Sequence, residues 1–231
     1  MTQTNREGVI KFQLDFQEGP TPPEELLLEL NAWREIFRRL GLLGQDPARY
    51  DGYGFGNLSR RLPGQDNSAF LISGTQTGPL QKLLPRHYAT VEQCLPAANQ
   101  LRASGQIQPS SEALSHASLY QSNSAILWVM HLHSPDIFNC RTRLKLPCTD
   151  PSAAHGTPAM AAEIQRLATL PQQAGASLLV MTGHQDGILA YGPSAAETGL
   201  LVVETLALAL QQNSRSKQQS LNWPQIKSDQ G

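Results

Sequence analysis

Ile10, Phe12, Leu14 and Phe16 alternate with Lys11, Gln13 and Asp15, a period of two that predicts a half-exposed strand near the N-terminus. The period then lengthens. Leu26, Leu30, Trp33, Ile36, Phe37 and Leu40 recur at helical spacing and predict a helix whose apolar side is core. Its entry is Thr21-Pro-Pro-Glu24, with Thr21 as N-cap, proline in the first turn and Glu24 in capping-box position, and Gly41 can take the left-handed stop. Ala69 to Ile72, Ala125 to Met130, Ala176 to Met181 and Ile188 to Gly192 are short apolar runs suited to buried strands. Thr157-Pro158 opens a helix through Met160, Ile164 and Leu167, and Ser194 to Glu197 opens another that runs to about Leu210. Strands and helices interleave throughout, the pattern of an α/β layered domain.

The densest chemistry lies between Pro109 and His133. Pro109-Ser-Ser-Glu112 has the composition of a helix start, and Glu112, His116 and Tyr120 recur every four residues, so a helix places them on one face. The apolar run that follows ends in His131-Leu132-His133. Side chains alternate across a strand, so the two imidazoles share a face and can share one metal ion. An H-x-H pair alone is a weak signal, because a histidine in an apolar strand is usually a satisfied core residue. Its weight comes from the carboxylate on the preceding helix and from a third imidazole at a strand end, His184 in Thr182-Gly-His-Gln-Asp-Gly187. Two loops add to the set. Asp51 to Ser59 holds three glycines followed by Asn57, and Ser73 to Gly78 is rich in glycine and hydroxyls; each is suited to an anion, although the first serves equally well as a plain turn. His87 is assigned to solvent, and His155, in a loop of small residues from Asp150 to Gly156, to an exposed structural role.

Composition narrows the class. With 231 residues the chain can bury a large core without staples, and no linker or composition shift divides residues 20 to 212. Net charge is −1 with no basic run, which argues against nucleic acid as a partner. Cys94, Cys140 and Cys148 are scattered and odd in number, as expected of a reducing compartment. The polar N-terminus has no signal-type apolar stretch, and the longest apolar run, Leu200 to Leu210, is too short for a bilayer and holds Glu204. The expectation is a cytoplasmic protein with no membrane partner.

Taken in order, the motifs resemble the class II aldolase/adducin family over roughly residues 22 to 210. GNLS (Gly56 to Ser59) and ISGTQTG (Ile72 to Gly78) look like its two phosphate loops, PSSE with His116 and Tyr120 like its acid/base helix, and HLHSP (His131 to Pro135) like its metal strand. Glu112 stands nineteen residues before His131, the interval the family shows. The resemblance implies a three-layer α/β/α domain with a central, largely antiparallel sheet at residues 21–211. An N-terminal arm with one strand (1–20) precedes it and a polar tail (212–231) follows. It implies His131, His133 and His184 as ligands of Zn²⁺ or another divalent transition metal, and Glu112 as general acid/base. Asn57, Gly74, Thr75, Ser110 and Ser111 would hold a substrate phosphate. A homotetramer with each site near a subunit boundary is also implied.

The departure is at His184, where two residues stand before the glycine that the family usually places directly after its third histidine, and His155 is its competitor for that role. His116 is read as a structural or supporting histidine on the Glu112 face. The implied chemistry is metal-assisted lyase action on a small sugar phosphate or related hydroxy-carbonyl compound through an enediolate, with Glu112 brought towards neutrality by burial. Epimerisation or dehydration of a ketose phosphate uses the same parts. An assembly domain without catalysis, and an enzyme whose substrate has no phosphate, are the other two readings. Of the tail, Leu221, Trp223 and Ile226 are the possible anchors; the rest is disordered or docks on a neighbouring subunit.

Overall fold

The computed structural model describes residues 8–64, 69–169 and 175–221, the last six as backbone only. Eight strands form its frame: β1 (Gln13–Glu18), β4 (Asn57–Arg61), β5 (Phe70–Ser73), β6 (Tyr88–Leu95), β7 (Gln100–Gly105), β8 (Trp128–His133), β9 (Ser177–Val180) and β10 (Gly187–Gly192). Among the described residues they make one sheet in the order β1-β7-β6-β5-β4-β8-β10-β9. A two-stranded ribbon, β2 (Gly44–Gln45) with β3 (Gly54–Phe55), lies apart. Every pairing in the large sheet is antiparallel except β1 with β7, so the expectation of a largely antiparallel sheet holds.

Alternation along the strands divides the core in two. Val129, Leu179 and Leu189 face one side and pack with α2 (Ala113–Ser122) and α4 (Pro158–Ala168). Trp128, Met130, Leu132, Ile188 and Ala190 face the other, which is covered by α1 (Leu28–Arg39), α3 (Pro135–Cys140) and α5 (Ala195–Leu221). Helices thus flank both faces, giving three layers. Since His131 and His133 alternate with Met130 and Leu132, they belong to the α2 side, the side from which Glu112 comes.

Several boundaries differ from expectation. Thr21 caps nothing: a single 3₁₀ turn, Glu24–Leu26, comes first, and α1 begins at Leu28 without a side-chain cap. Ile36 and Leu40 are exposed, and the buried face of α1 instead includes Arg34. The Arg34 guanidinium donates to the carbonyls of Thr77, Gly78, Leu80 and Gln81, so a buried cation ties down the segment after the second anion loop. The central strand starts at Trp128 rather than Ala125, because Asn123 folds its side chain and carbonyl back onto the amides of Ala125 and Ile126 in a turn. The last helix passes Leu210 and continues to Leu221. The side chain of Leu221, and Trp223 and Ile226 altogether, lie outside the described residues. The expected Thr157 cap is present, its hydroxyl accepting from the Met160 amide at 3.3 Å.

Candidate metal centre

Register assembles the centre. On β8, His131 pairs with Asn57 of β4 on one side and Leu189 of β10 on the other, while His133 pairs with Gly187. His131 Nδ1 donates to the Ile188 carbonyl at 3.2 Å, which leaves the lone pair on its Nε2. That Nε2 faces His133 Nε2 at 3.1 Å. Two nitrogens on one ion at about 2.0–2.1 Å stand roughly 3.3 Å apart at the tetrahedral angle, so the pair is spaced for a shared metal. The third ring is His184, whose centroid lies 5.0 Å from that of His131 and 4.7 Å from that of His133. One ligand atom from each of the three lies within 4.8 Å of the others, and all three residues are buried. The donor set of three imidazoles could hold a divalent transition metal. Burial, then repulsion from the neighbouring His184 and His131, holds His133 well below the ordinary histidine range and therefore neutral, as a ligand must be.

The two extra residues after His184 form a tight turn. The His184 amide bonds to Met181 O and the Gly187 amide to His184 O, with Asp186 in the left-handed region at φ 59°. A Cβ on Gly187 would stand 3.2 Å from the His184 Cβ, Cγ and Nδ1, so glycine there admits the ring. Tyr50, unmarked in the sequence, packs edge-on against His133 at 4.6 Å and donates to Asp186 Oδ2 at 2.9 Å, joining the early loop to this turn.

Glu112 precedes the first turn of α2 but makes no side-chain cap bond. It is 1 % exposed. Its Oε2 accepts from Ser115 Oγ at 2.8 Å and its Oε1 lies 3.1 Å from His155 Nδ1. Burial by itself raises the Glu112 pKa, but the His155 hydrogen bond and the electrostatic pull of the His184, His131 and His155 imidazoles outweigh it. The carboxyl is held below its usual range, not lifted towards neutrality.

His155 is the clearest correction. It is buried rather than exposed, and stacks on His184 with centroids 4.1 Å apart and planes 15° from parallel. The reason lies further along the chain. A Cβ on Gly183 would come within 1.9 Å of the Ala153 carbonyl oxygen, so the bare glycine lets the 150–156 loop settle against the His184 turn. Glu112, His155 and His184 thereby form a second triad that shares His184 with the first. Both nitrogens of His155 are already engaged, Nδ1 by Glu112 and Nε2 by Lys11 Nζ at 3.3 Å, which favours the three-imidazole set for an ion.

His116, on the Glu112 face as expected, meets Ser59 Oγ through Nδ1 at 2.6 Å, and the same hydroxyl meets Tyr120 at 2.7 Å. Burial, then His131, pushes its pKa down to about 3. His87 is half-buried, with Nδ1 accepting from the Leu84 amide, and is not a plain solvent residue.

Asn57, Gly74, Thr75, Ser110 and Ser111 line one small cavity together with Gly8, Gly54, Gly56, Gln76, Thr77 and Gly78. Asn57 Oδ1 is buried there without a partner among the described residues. The amides of Gly74 and Thr75 are committed to His87 O and Gln108 O, so what these two residues offer an anion is hydroxyl and space rather than free amides. The Gly8 carbonyl lies 3.5 Å from both Thr75 Oγ1 and Gln76 Nε2.

This three-layer architecture is that of the class II aldolases. The L-fuculose-1-phosphate aldolase of Thermus thermophilus superimposes with a TM-score of 0.61 at 16% identity, covering 87% of this chain and 99% of that one. A second L-fuculose 1-phosphate aldolase gives 0.62 at 17%, covering 90% and 93%. A sugar-phosphate aldolase of Thermotoga maritima gives 0.60 at 12%, covering 83% and 96%. No curated protein sequence matches. The family model "Class II Aldolase and Adducin N-terminal domain" matches residues 46–212, and the chain belongs to that family. No described helix is long and apolar enough to cross a membrane.

Proposed function

We propose that this protein is a metal-dependent lyase acting on a small sugar phosphate or related hydroxy-carbonyl compound. His131, His133 and His184 hold Zn²⁺ or another divalent transition ion, and Glu112 moves the proton. The observation that carries this reading is His131 Nε2 facing His133 Nε2 at 3.1 Å, with His184 against both and the Glu112 carboxylate beside His184.

A divalent ion held by His131, His133 and His184 would supply Lewis acidity towards a substrate oxygen. The chain does the rest. Glu112 is held as the carboxylate, so it begins as the base and returns the proton later; each oxygen keeps acceptor capacity beyond the bond it already takes. Ser115 and His155 hold it in place, and burial excludes water from the transferred proton. Asn57, Thr75, Ser110 and Ser111 at the cavity wall fix the far end of the substrate, with Gly74 giving it room. A homotetramer follows from the same reading, with Leu200, Leu208 and Leu210 exposed on α5 as contact surface; sedimentation at micromolar concentration reads it directly.

A second reading, a substrate without phosphate, is favoured by two details: the Gly8 carbonyl already stands against Thr75 and Gln76 in the cavity, and two loop amides are committed elsewhere. One experiment addresses both. The purified protein is analysed for metal. It is then assayed with ketose phosphates, L-fuculose 1-phosphate among them, and with the unphosphorylated sugars, before and after chelation. The expected result is a bound divalent ion, turnover of a phosphorylated ketose, loss on chelation and recovery on re-addition. Turnover indifferent to chelation would contradict the proposal, and preference for the unphosphorylated sugar would select the second reading.

A further inference from the structure

The N-terminal arm reaches the histidine that meets the carboxylate to which proton transfer is assigned. Lys11, two residues before β1, donates through Nζ to the His155 carbonyl at 2.9 Å and lies 3.3 Å from Nε2 of the same residue. An ammonium group has three donors and no acceptor. The Nε2 that meets it must carry the lone pair, which puts the ring proton on Nδ1. That atom faces Glu112 Oε1 at 3.1 Å and so donates to it. We infer that Lys11 and His155 are positioning residues: Lys11 selects the Nδ1–H tautomer of His155, and His155 in that tautomer holds the Glu112 carboxylate in its working orientation. The inference rests on the reading of Glu112 as the proton-transfer group.

The geometry leaves the tautomer as the one variable. The imidazole cannot turn freely, because it is buried and stacked on His184, and its loop is seated where Gly183 allows. Gly156 follows at φ +67°, and a Cβ there would lie 3.6 Å from Lys11 Cδ and 4.0 Å from Glu112 Oε1, so the arm, the loop and the carboxylate converge at one place. With the proton on Nε2 instead, His155 would offer a lone pair to a carboxylate oxygen, and its Nε2–H would face an ammonium. Both contacts would be repulsive, and Glu112 would turn towards another donor.

The test is made on the full-length protein labelled with ¹⁵N-histidine, without metal and with added Zn²⁺. Solid-state ¹⁵N spectra are recorded, and His155 is assigned by comparison with His155→Asn. Wild type and Lys11→Arg, which keeps a donor, are expected to show protonated Nδ1 and bare Nε2. Lys11→Met should show protonated Nε2. On the ketose phosphate that the protein turns over, Lys11→Met should lower kcat by about 10–100-fold with KM within roughly twofold, and Lys11→Arg should recover most of the loss. Protonated Nε2 in wild type would overturn the inference, as would a Lys11→Met protein with unchanged tautomer. A changed tautomer with unchanged kcat would overturn the positioning role alone. Failure of the underlying reading has a separate signature, normal turnover in Glu112→Gln.

Discussion

Glu112→Gln is expected to lower kcat by about 10²–10⁴-fold, the range that a general acid/base group supplies, while metal content and KM stay near wild type. Glutamine has the shape of glutamate, and its carbonyl oxygen can still accept from His155, so the buried pocket keeps its packing. What it cannot do is take a proton. Exchange of substrate hydrogen with deuterated solvent should therefore fall together with kcat. The plain alternative is that Glu112 is a helix-start residue whose loss costs roughly 1 kcal/mol of stability. The side chain makes no cap bond and points both oxygens at other partners, which is why the catalytic outcome is expected. Normal exchange in a folded, metal-loaded variant would remove Glu112 from the mechanism.

His184→Ala should weaken metal binding by more than the roughly 10–100-fold that supporting residues around a metal typically cost, because it removes one of the three proposed ligands. His155→Ala should leave metal content near wild type, since His155 nitrogens face Glu112 and Lys11. Equilibrium dialysis against Zn²⁺ measures both. Equal loss in the two variants, or loss in the second only, would mean that the ion sits in the other triad.

The contrast between these two histidines shows what can be read from sequence. The His131/His133 pair and the Glu112 face were legible because strand and helix periods determine which side chains share a side, and those periods survive folding. His184 was legible as a strand end even with its two additional residues, which the fold absorbs in a left-handed turn at Asp186. His155 was not legible. Its neighbours Ala153, Ala154 and Gly156 suggest an exposed loop, and its burial depends on Gly183 further along the chain and on Lys11, 144 residues earlier. Tyr50 was missed for the same reason, its role resting on a contact with Asp186 136 residues away. The interleaving of elements gave the layered class, yet nothing local announced that β1 would pair parallel with β7 at the sheet edge. The exposure of Ile36 and Leu40 shows the limit of helical periodicity. It identifies an apolar stripe, but the neighbouring elements decide how much of it is covered, and here they cover Arg34 instead.

The ligand set itself admits one direct measurement. Crystals of the protein grown with Zn²⁺ would be exposed above and below the zinc absorption edge, and the anomalous difference map would locate the ion independently of any assay. A single peak at about 2.0–2.1 Å from the Nε2 atoms of His131 and His133 and from one nitrogen of His184 is the predicted result. A peak between Glu112, His155 and His184, with His131 and His133 still facing each other unligated, would contradict it.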